Sequence, residues 1–241
     1  ARKTSMEVQT NSISHISRDI RVLIVDDYYP NLLVLEKQLA WLGYQIIVCD
    51  DPLKAFDIWK TAKPHAVFTD CNMPGISGTD LAKRIRKSDN DTVILGFTAD
   101  ARDEQLESCI NAGMNDCIFK PATLEMISTA LNRYLRAESI TTGSVKVQES
   151  AFLSTPEFLK TLYEHSLECI SDIHDEIAVN NYKKVAALAH RIRGGFVLIK
   201  NDALIELCYQ LEAAAVASDG TECLRLSLQL EEDVNDLFSP D

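Results

Sequence analysis

The sequence predicts an α/β fold, a doubly wound parallel five-stranded sheet, followed by an all-α helical bundle. Short, β-rich apolar runs recur at regular intervals in the first half of the chain, and segments with helical spacing separate them. From Phe152 onward only helical periodicity is visible. The length of 241 residues suits two domains, each able to bury its own core.

Five runs are apolar throughout, which is typical of strands buried on both faces of a parallel sheet. They are V-L-I-V at 22–25, I-I-V-C at 46–49, A-V-F at 66–68, V-I-L-G-F at 93–97 and C-I-F at 117–119. Between the first two, Leu32, Leu35, Leu39 and Leu42 repeat at three and four residues and therefore share one helical face. Strict alternation of strand and helix predicts a doubly wound sheet with helices on both sides.

Breaks in this pattern divide the chain. Residues 1–20 are polar and are predicted to be a linker, 21–136 the first domain, 137–150 a second polar linker, and 151–241 the helical domain. Within the last, helices are predicted near 156–179, 181–199, 203–217 and 221–237. The chain begins at Ala1 rather than at an initiator Met, so we expect it to be a piece of a longer protein.

Composition excludes several classes of function. Thirty-six acidic against 24 basic side chains give a net charge of -12, which argues against direct binding of nucleic acid. The seven cysteines form no C-x-x-C pair, so we expect reduced thiols and a cytoplasmic location. No apolar run approaches the roughly 20 residues of a spanning helix, and we expect no membrane contact by this segment.

Charged and hydroxyl side chains stand where the predicted strands end. Asp26 and Asp27 follow the first strand, Asp70 the third, Thr98 the fourth and Lys120 the fifth. Because the carboxyl ends of parallel strands share one edge of the sheet, these side chains are predicted to converge. Two carboxylates about 4 Å apart repel by roughly 4 kcal/mol at an effective dielectric of 20, so a divalent cation is expected.

An all-oxygen set of ligands favours Mg²⁺. We expect Asp27, Asp70 and the Asn72 carbonyl to ligate it, with Asp26 acting through water. The site then holds a carboxylate nucleophile, a metal, a lysine countercharge and a hydroxyl donor, which are the parts that phosphoryl transfer needs. Asp70 is the predicted nucleophile.

Four motifs in order resemble those of a response-regulator receiver domain, over about residues 20–136. They are V-D-D at 25–27, T-D-C-N-M-P-G-I-S-G at 69–78, G-F-T-A at 96–99 and F-K-P at 119–121. The resemblance implies phosphorylation of Asp70 with Mg²⁺ as cofactor. The chain departs from the family at Cys117, where receivers usually carry an aromatic switch residue, and this favours a relay over a transcriptional trigger.

His190 lies in the middle of a predicted helix, in A-H-R-I-R-G-G-F. Glycine costs about 1 kcal/mol against alanine in a helix, so Gly194 and Gly195 indicate a need for room beside His190, either for a bulky partner or for close helix packing. The pattern resembles the H-x-x-K-G element of histidine phosphotransfer (Hpt) domains over roughly 150–238. Arg193 replaces the usual lysine, keeps the charge and is expected to meet phosphate.

Glu212 is predicted to orient the histidine. If the second and third helices of the bundle form a hairpin turning near Asn201, the position level with His190 is Leu211 or Glu212. A carboxylate there would accept the Nδ1 proton and leave Nε2 as the exposed nucleophile. A solvated helix face is the competing interpretation of Glu212.

A receiver joined to an Hpt domain resembles the tail of hybrid sensor histidine kinases of the Bvg and Evg type, which implies a parent in the bacterial inner membrane. The implied order runs from a kinase phosphohistidine to Asp70, then to His190, then to a separate response regulator. The kinase domain and that regulator are the expected partners. No ATP-cradling glycine motif is present, so the chain alone is not expected to use ATP.

Two other classes remain open. The first is a Mg²⁺-dependent hydrolase of the haloacid-dehalogenase sort, whose aspartyl nucleophile lies in a D-x-D motif on the first strand rather than at Asp70. The second is a non-catalytic docking module with a silent acidic pocket. Labelling with a small phosphodonor distinguishes all three.

Overall fold

A computed structural model describes residues 19–98, 103–135 and 149–238. The first part of the chain forms a five-stranded sheet in which every neighbouring pair is parallel, in the order β2-β1-β3-β4-β5. The strands are β1 (Arg21–Val25), β2 (Gln45–Cys49), β3 (Ala66–Asp70), β4 (Val93–Thr98) and β5 (Asp116–Phe119). The predicted doubly wound sheet is therefore confirmed, with each strand within two residues of its predicted bounds.

Helices follow the strands and cover both faces of the sheet. They are α1 (Tyr29–Trp41), α2 (Ala55–Ala62), α3 (Gly78–Arg86), α4 (Asp103–Asn111) and α5 (Leu124–Leu135). Central strand β3 is buried along all five residues, because helices cover it on both sides and strands flank it. One core cluster packs α1 and α5 against one face, and a second packs α2, α3 and α4 against the other.

The second part of the chain forms four long helices. They are α6 (Pro156–Ala178), α7 (Tyr182–Leu198), α8 (Asp202–Val216) and α9 (Gly220–Phe238), each within one residue of its predicted bounds. Thr155 and Asn201 cap α6 and α8, since each side-chain oxygen accepts a hydrogen bond from the backbone N–H three residues on. The bundle buries its own apolar core, which confirms the predicted helical fold.

The bundle packs against the receiver-like half through helix α1, which contacts α6 and α7. Tyr28 is 2% exposed and Val34 4%, and both join the apolar core of the bundle rather than that of the sheet. The Tyr28 hydroxyl lies 3.5 Å from the Ser166 Oγ. Apolar residues of α1 on its two faces thus serve two different cores.

Most of both predicted linkers, 1–20 and 137–150, lies outside the described residues, and the domain boundaries stay predictions. Among the described residues, none of the helices combines the length and the apolar character needed to cross a membrane.

Candidate functional site

Three carboxylates meet at the carboxyl edge of the sheet. Asp26 and Asp27 follow β1 and Asp70 ends β3, and one oxygen of each lies within 4.8 Å of the others. Lys120, just beyond β5, reaches into the cluster: its Nζ lies 3.1 Å from Asp26 Oδ2 and 2.7 Å from Asp70 Oδ2. The parallel register of β1, β3, β4 and β5 brings these side chains together from strand ends far apart in sequence.

Burial and crowding set the protonation of this cluster. Burial raises the pKa of Asp26 to about 6, against the opposing charge of Lys120 and with help from the neighbouring Asp70 and Asp27. Burial also raises the pKa of Asp27. For Lys120, burial favours the neutral amine, but the two carboxylates outweigh it and raise the pKa of the ammonium group. Three carboxylates thus share one lysine within this cluster, and burial is the main reason that the pKa values of Asp26 and Asp27 are raised.

The loop after β3 folds back over Asp70. The Asn72 N–H donates a hydrogen bond of 3.1 Å to Asp70 Oδ1, which fixes the carboxylate. A side chain at position 78 would overlap the Asp70 carbonyl oxygen, so only glycine allows this approach. Thr98 is fully buried at the end of β4, and its carbonyl accepts the Lys120 N–H at 2.7 Å. All the predicted receiver residues thus lie at one edge of the sheet.

The donor set fits Mg²⁺. Three carboxylates with oxygens within 4.8 Å, in a group that includes no His or Cys, are hard ligands of the kind that magnesium prefers. A divalent cation would stabilise the ionised forms of Asp26 and Asp27, whose pKa values burial raises.

His190 lies half-buried on α7 and its Nδ1 faces two charged partners. Glu212 Oε2, on α8, is 3.4 Å from Nδ1, and Arg193 Nη2 is 2.9 Å from the same atom. Arg193 also donates from Nε to Glu212 Oε1 at 2.7 Å, and its guanidinium stacks 4.0 Å from the centre of the Tyr209 ring. The predicted helical hairpin that turns near Asn201 therefore gave the correct region of α8, since Glu212 contacts the histidine.

These two contacts make opposite demands on the imidazole. Arginine only donates, so the contact with Arg193 requires an unprotonated Nδ1 and places the proton of a neutral ring on Nε2. The contact with Glu212 requires a protonated Nδ1 and leaves Nε2 free. Burial would raise the pKa of Glu212, but hydrogen bonds with His190 and Arg193 hold it below the usual range. Glu212 is therefore an ionised acceptor at neutral pH.

Arg193 differs from its expected position. We expected it to meet phosphate, but it is 5% exposed and held between Glu212 and Tyr209. The helical spacing from His190 was interpreted correctly, since residues three apart share a face, but spacing does not reveal which neighbour a side chain pairs with. Arg193 contacts the histidine ring rather than open solvent.

Arg191 was missed by sequence reasoning. Its guanidinium forms an ion pair with Asp27 across the two halves of the molecule. A cavity of about 660 Å³ is lined on one side by Asp27 and Asn72, and on the other by His190, Arg191 and Glu212. The only sequence signal was a cation next to His190, which does not indicate a partner in the other domain.

The two glycines after His190 have different surroundings. A Cβ built on Gly195 would lie 2.5 Å from Leu162 Cδ1 and 3.0 Å from the Tyr28 ring, whereas one on Gly194 would lie 3.4 Å from Asn31 Nδ2. Of the two interpretations left open, close packing therefore describes Gly195, and the group packed there includes a residue of the other half.

Gly195→Ala is expected to destabilise the full chain by about 1 to 2 kcal/mol, because overpacking against buried neighbours exceeds the gain in helix propensity. Gly194→Ala is the matched control and is expected to stabilise it by about 0.5 to 1 kcal/mol. Chemical denaturation of both variants measures the difference. Equal effects at the two positions would contradict the role of Gly195 in packing.

A parallel sheet with a lysine-bridged acidic cluster, facing a bundle with a mid-helix histidine, defines a phosphotransfer protein of the phosphorelay class. Comparison with known families agrees: residues 22–132 belong to the response regulator receiver domain family and residues 157–239 to the Hpt domain family. The chain is therefore a receiver–Hpt module, and it functions in phosphorelay signalling.

Similar proteins include the virulence sensor protein BvgS of Bordetella pertussis, 31% identical over 232 residues, which cover 83% of this chain and 19% of BvgS. The sensor protein EvgS of Escherichia coli O157:H7 is 26% identical in an alignment 244 positions long, which covers 97% of this chain and 20% of EvgS. The chain thus spans about a fifth of the length of these relatives.

Among solved structures, the receiver domain of the sensor histidine kinase PA1611 from Pseudomonas aeruginosa is similar. It is 29% identical, with a TM-score of 0.46, and the match covers 49% of this chain and 98% of that one. That structure has a magnesium ion coordinated in its active-site cleft.

Proposed function

We propose that Asp70 takes a phosphoryl group from a kinase phosphohistidine and passes it to His190, which donates it to a separate response regulator. The observation that carries this proposal is the shared cavity: His190 and the edge of the acidic cluster line the same space. Asp70 does not itself line this cavity, but it lies beside Asp27 and accepts a hydrogen bond from Asn72, which do, so a modest rearrangement would bring the two phosphoacceptors together. Labelling by acetyl phosphate, with each acceptor removed in turn, tests the proposal.

In the first step an Asp70 carboxylate oxygen attacks phosphorus, the P–N bond of the donor breaks, and the imidazole leaves. Lys120 holds Asp70 and would meet the charge on the transferred group, and the Thr98 hydroxyl would donate to it. Magnesium, held by Asp27, Asp70 and the Asn72 carbonyl with Asp26 acting through water, would neutralise the phosphoryl oxygens.

In the second step His190 Nε2 attacks the phosphorus, and the P–O bond to Asp70 breaks. The lone pair on Nε2 is available only in the tautomer that carries a proton on Nδ1. In that tautomer the Nδ1–H donates a hydrogen bond to Glu212. Arg193 must release Nδ1 for this tautomer to form, and its remaining bond to Glu212 keeps it in place. Glu212 is thus a positioning residue rather than a phosphate ligand.

Glu212→Gln is expected to slow phosphorylation of His190 about tenfold while leaving phosphorylation of Asp70 unchanged, because the neutral amide no longer favours the Nδ1–H tautomer. Rapid-quench labelling measures both rates, and ¹⁵N NMR of His190 measures the tautomer. Glu206→Gln on the same helix is the control, since Glu206 is exposed and bonds only Gln210 among the contacts described. An unchanged tautomer in Glu212→Gln would contradict the assignment.

Arg191→Ala is expected to raise the affinity for Mg²⁺ about tenfold, because the guanidinium occupies Asp27, and a metal ion must displace it. Calorimetric titration of the full chain with MgCl₂ measures this directly. Arg225→Ala is the control, since its exposed ion pair with Glu222 lies elsewhere. Unchanged or weaker Mg²⁺ binding in Arg191→Ala would show that the ion pair does not compete with the metal.

We propose a cytoplasmic location within a parent sensor protein of the bacterial inner membrane, on the strength of the BvgS and EvgS relatives. A kinase domain of the same or a sister chain would be the donor and a response regulator the recipient. The hydrolase alternative is disfavoured because β1 is followed by D-D-Y at 26–28 rather than by D-x-D. The docking alternative leaves the buried Lys120 bridge between Asp26 and Asp70 without a purpose.

A further inference from the structure

A cluster of sulfur atoms lies behind Asp70, inside the receiver core. Cys71 Sγ is 3.3 Å from Cys109 Sγ and 3.8 Å from Cys117 Sγ, and all three sulfurs lie within 4.8 Å of one another. The thiols come from the residue after β3, from α4 and from β5. All are buried, with exposures of 2%, 0% and 7%. The proposed relay uses none of them.

A fourth sulfur points to the same place. A Cβ built on Gly96 would lie 2.8 Å from Met114 Sδ, 2.9 Å from Cys71 Sγ and 3.2 Å from Cys117 Sγ. The glycine on β4 therefore leaves room for sulfur atoms from three directions. A thioether joins the thiols at this point.

We propose that Cys71, Cys109 and Cys117, with the Met114 thioether beside them, form a binding site for a soft, thiophilic monovalent cation of the Cu⁺ type. Three sulfurs that each lie about 2.3 Å from a metal are about 3.8 to 4.0 Å apart. The Cys71–Cys117 distance of 3.8 Å lies in this range, and the Cys71–Cys109 distance of 3.3 Å is about 0.5 Å shorter. Small side-chain rotations complete the geometry. The thiol protons leave to solvent as the sulfurs coordinate.

The ligand types select the cation. Thiolate and thioether sulfurs favour Cu⁺, whereas structural Zn²⁺ sites close a tetrahedron with four ligands. Among the described residues this group contains three cysteines and no His, Asp or Glu. Cys71 Sγ contacts both of the other thiols, so the three sulfurs already lie as one group.

An entry route lies at the edge of the sheet. β5 is an edge strand, and Cys117 lines an open cavity of about 440 Å³ beside it. A bound ion would tie the residue next to Asp70 to α4 and β5. The site is separate from the acidic cluster, since it offers sulfur to a soft cation where the carboxylates offer oxygen to a hard one.

The test is an anaerobic titration of the full, reduced chain with Cu⁺ supplied as its bicinchoninate complex, whose colour fades as the protein removes the metal. We expect one equivalent to transfer, and an X-ray absorption spectrum to show three sulfur neighbours. Cys109→Ser and Cys117→Ser are each expected to weaken binding at least 100-fold. Cys49→Ser is the matched control, because Cys49 is a buried thiol of the same core cluster outside the site.

Four outcomes would overturn the proposal. The first two are a wild-type chain that takes up no Cu⁺ and a Cys109→Ser chain that binds Cu⁺ as tightly as the wild type. The other two are an absorption spectrum that shows no sulfur neighbours of the metal, and a wild-type chain that binds Zn²⁺ as tightly as Cu⁺. The absorption spectrum needs no variant, so a misfolded Cys109→Ser protein would not leave the question open.

Discussion

Asp70→Asn is expected to abolish labelling of both Asp70 and His190 from acetyl phosphate and Mg²⁺, with at least a 100-fold loss of signal on each. The amide of asparagine is not a nucleophile toward phosphorus, and the chain offers His190 a phosphoryl group only through Asp70 in the proposed order. Asparagine keeps the shape of the side chain and its contact with the Asn72 N–H, so the loss reports chemistry rather than folding.

Acid and base stability separate the two products, since an aspartyl phosphate is lost in base and a phosphohistidine in acid. Asp57→Asn is the control, because Asp57 is an exposed carboxylate on α2 of the same domain. Base-stable label that persists on His190 in Asp70→Asn would mean that the histidine takes phosphate directly from the donor. That result would contradict the proposed order, in which His190 receives its phosphoryl group from Asp70.

His190→Gln is expected to lengthen the lifetime of phosphorylated Asp70 about tenfold and to remove base-stable label altogether. The lifetime grows because the acceptor within the same chain is lost, which leaves water as the acceptor. Pulse labelling followed by removal of acetyl phosphate measures the decay of base-labile label. Glutamine retains a polar side chain of similar length on α7.

His174→Gln is the matched control, since His174 is half-buried in the same bundle but on α6. Its phosphorylated Asp70 should decay at the wild-type rate. If the decay is equally fast in His190→Gln and wild type, His190 does not drain the aspartyl phosphate.

The fold was predictable because its signals are local. Apolar runs bounded by polar residues define β3 and β4, and breakers such as K-N-D mark the turn between α7 and α8. The convergence of Asp26, Asp70 and Lys120 followed from one rule, that parallel strands share a carboxyl edge. Their convergence could be predicted without any information about the second domain.

What escaped prediction depends on how distant elements meet. The ion pair between Arg191 and Asp27 crosses from α7 to the end of β1, and no periodicity encodes that packing. Arg193 was placed on the correct face, but its pairing with Glu212 depends on the approach of α8. Cys117 was noticed only as a missing aromatic.

The sulfur cluster was equally hidden in sequence. Cys109 and Cys117 lie 38 and 46 residues beyond Cys71, and the three cysteines form no C-x-x-C pair of the kind that marks a metal site. They meet because Gly96 on β4 pairs with Thr69 on β3 and with Cys117 on β5, and because Gly96 leaves space for the sulfur atoms. Only the assembled sheet reveals the group.

The rate at which phosphohistidine forms, followed by rapid quench after wild-type chains are loaded at Asp70, tests the central claim most directly. Transfer across a cavity within one chain predicts a first-order rate constant that stays the same over a 100-fold range of protein concentration. A rate constant that rises in proportion to concentration, or aspartyl phosphate that decays without any phosphohistidine, would contradict transfer from Asp70 to His190 within the chain.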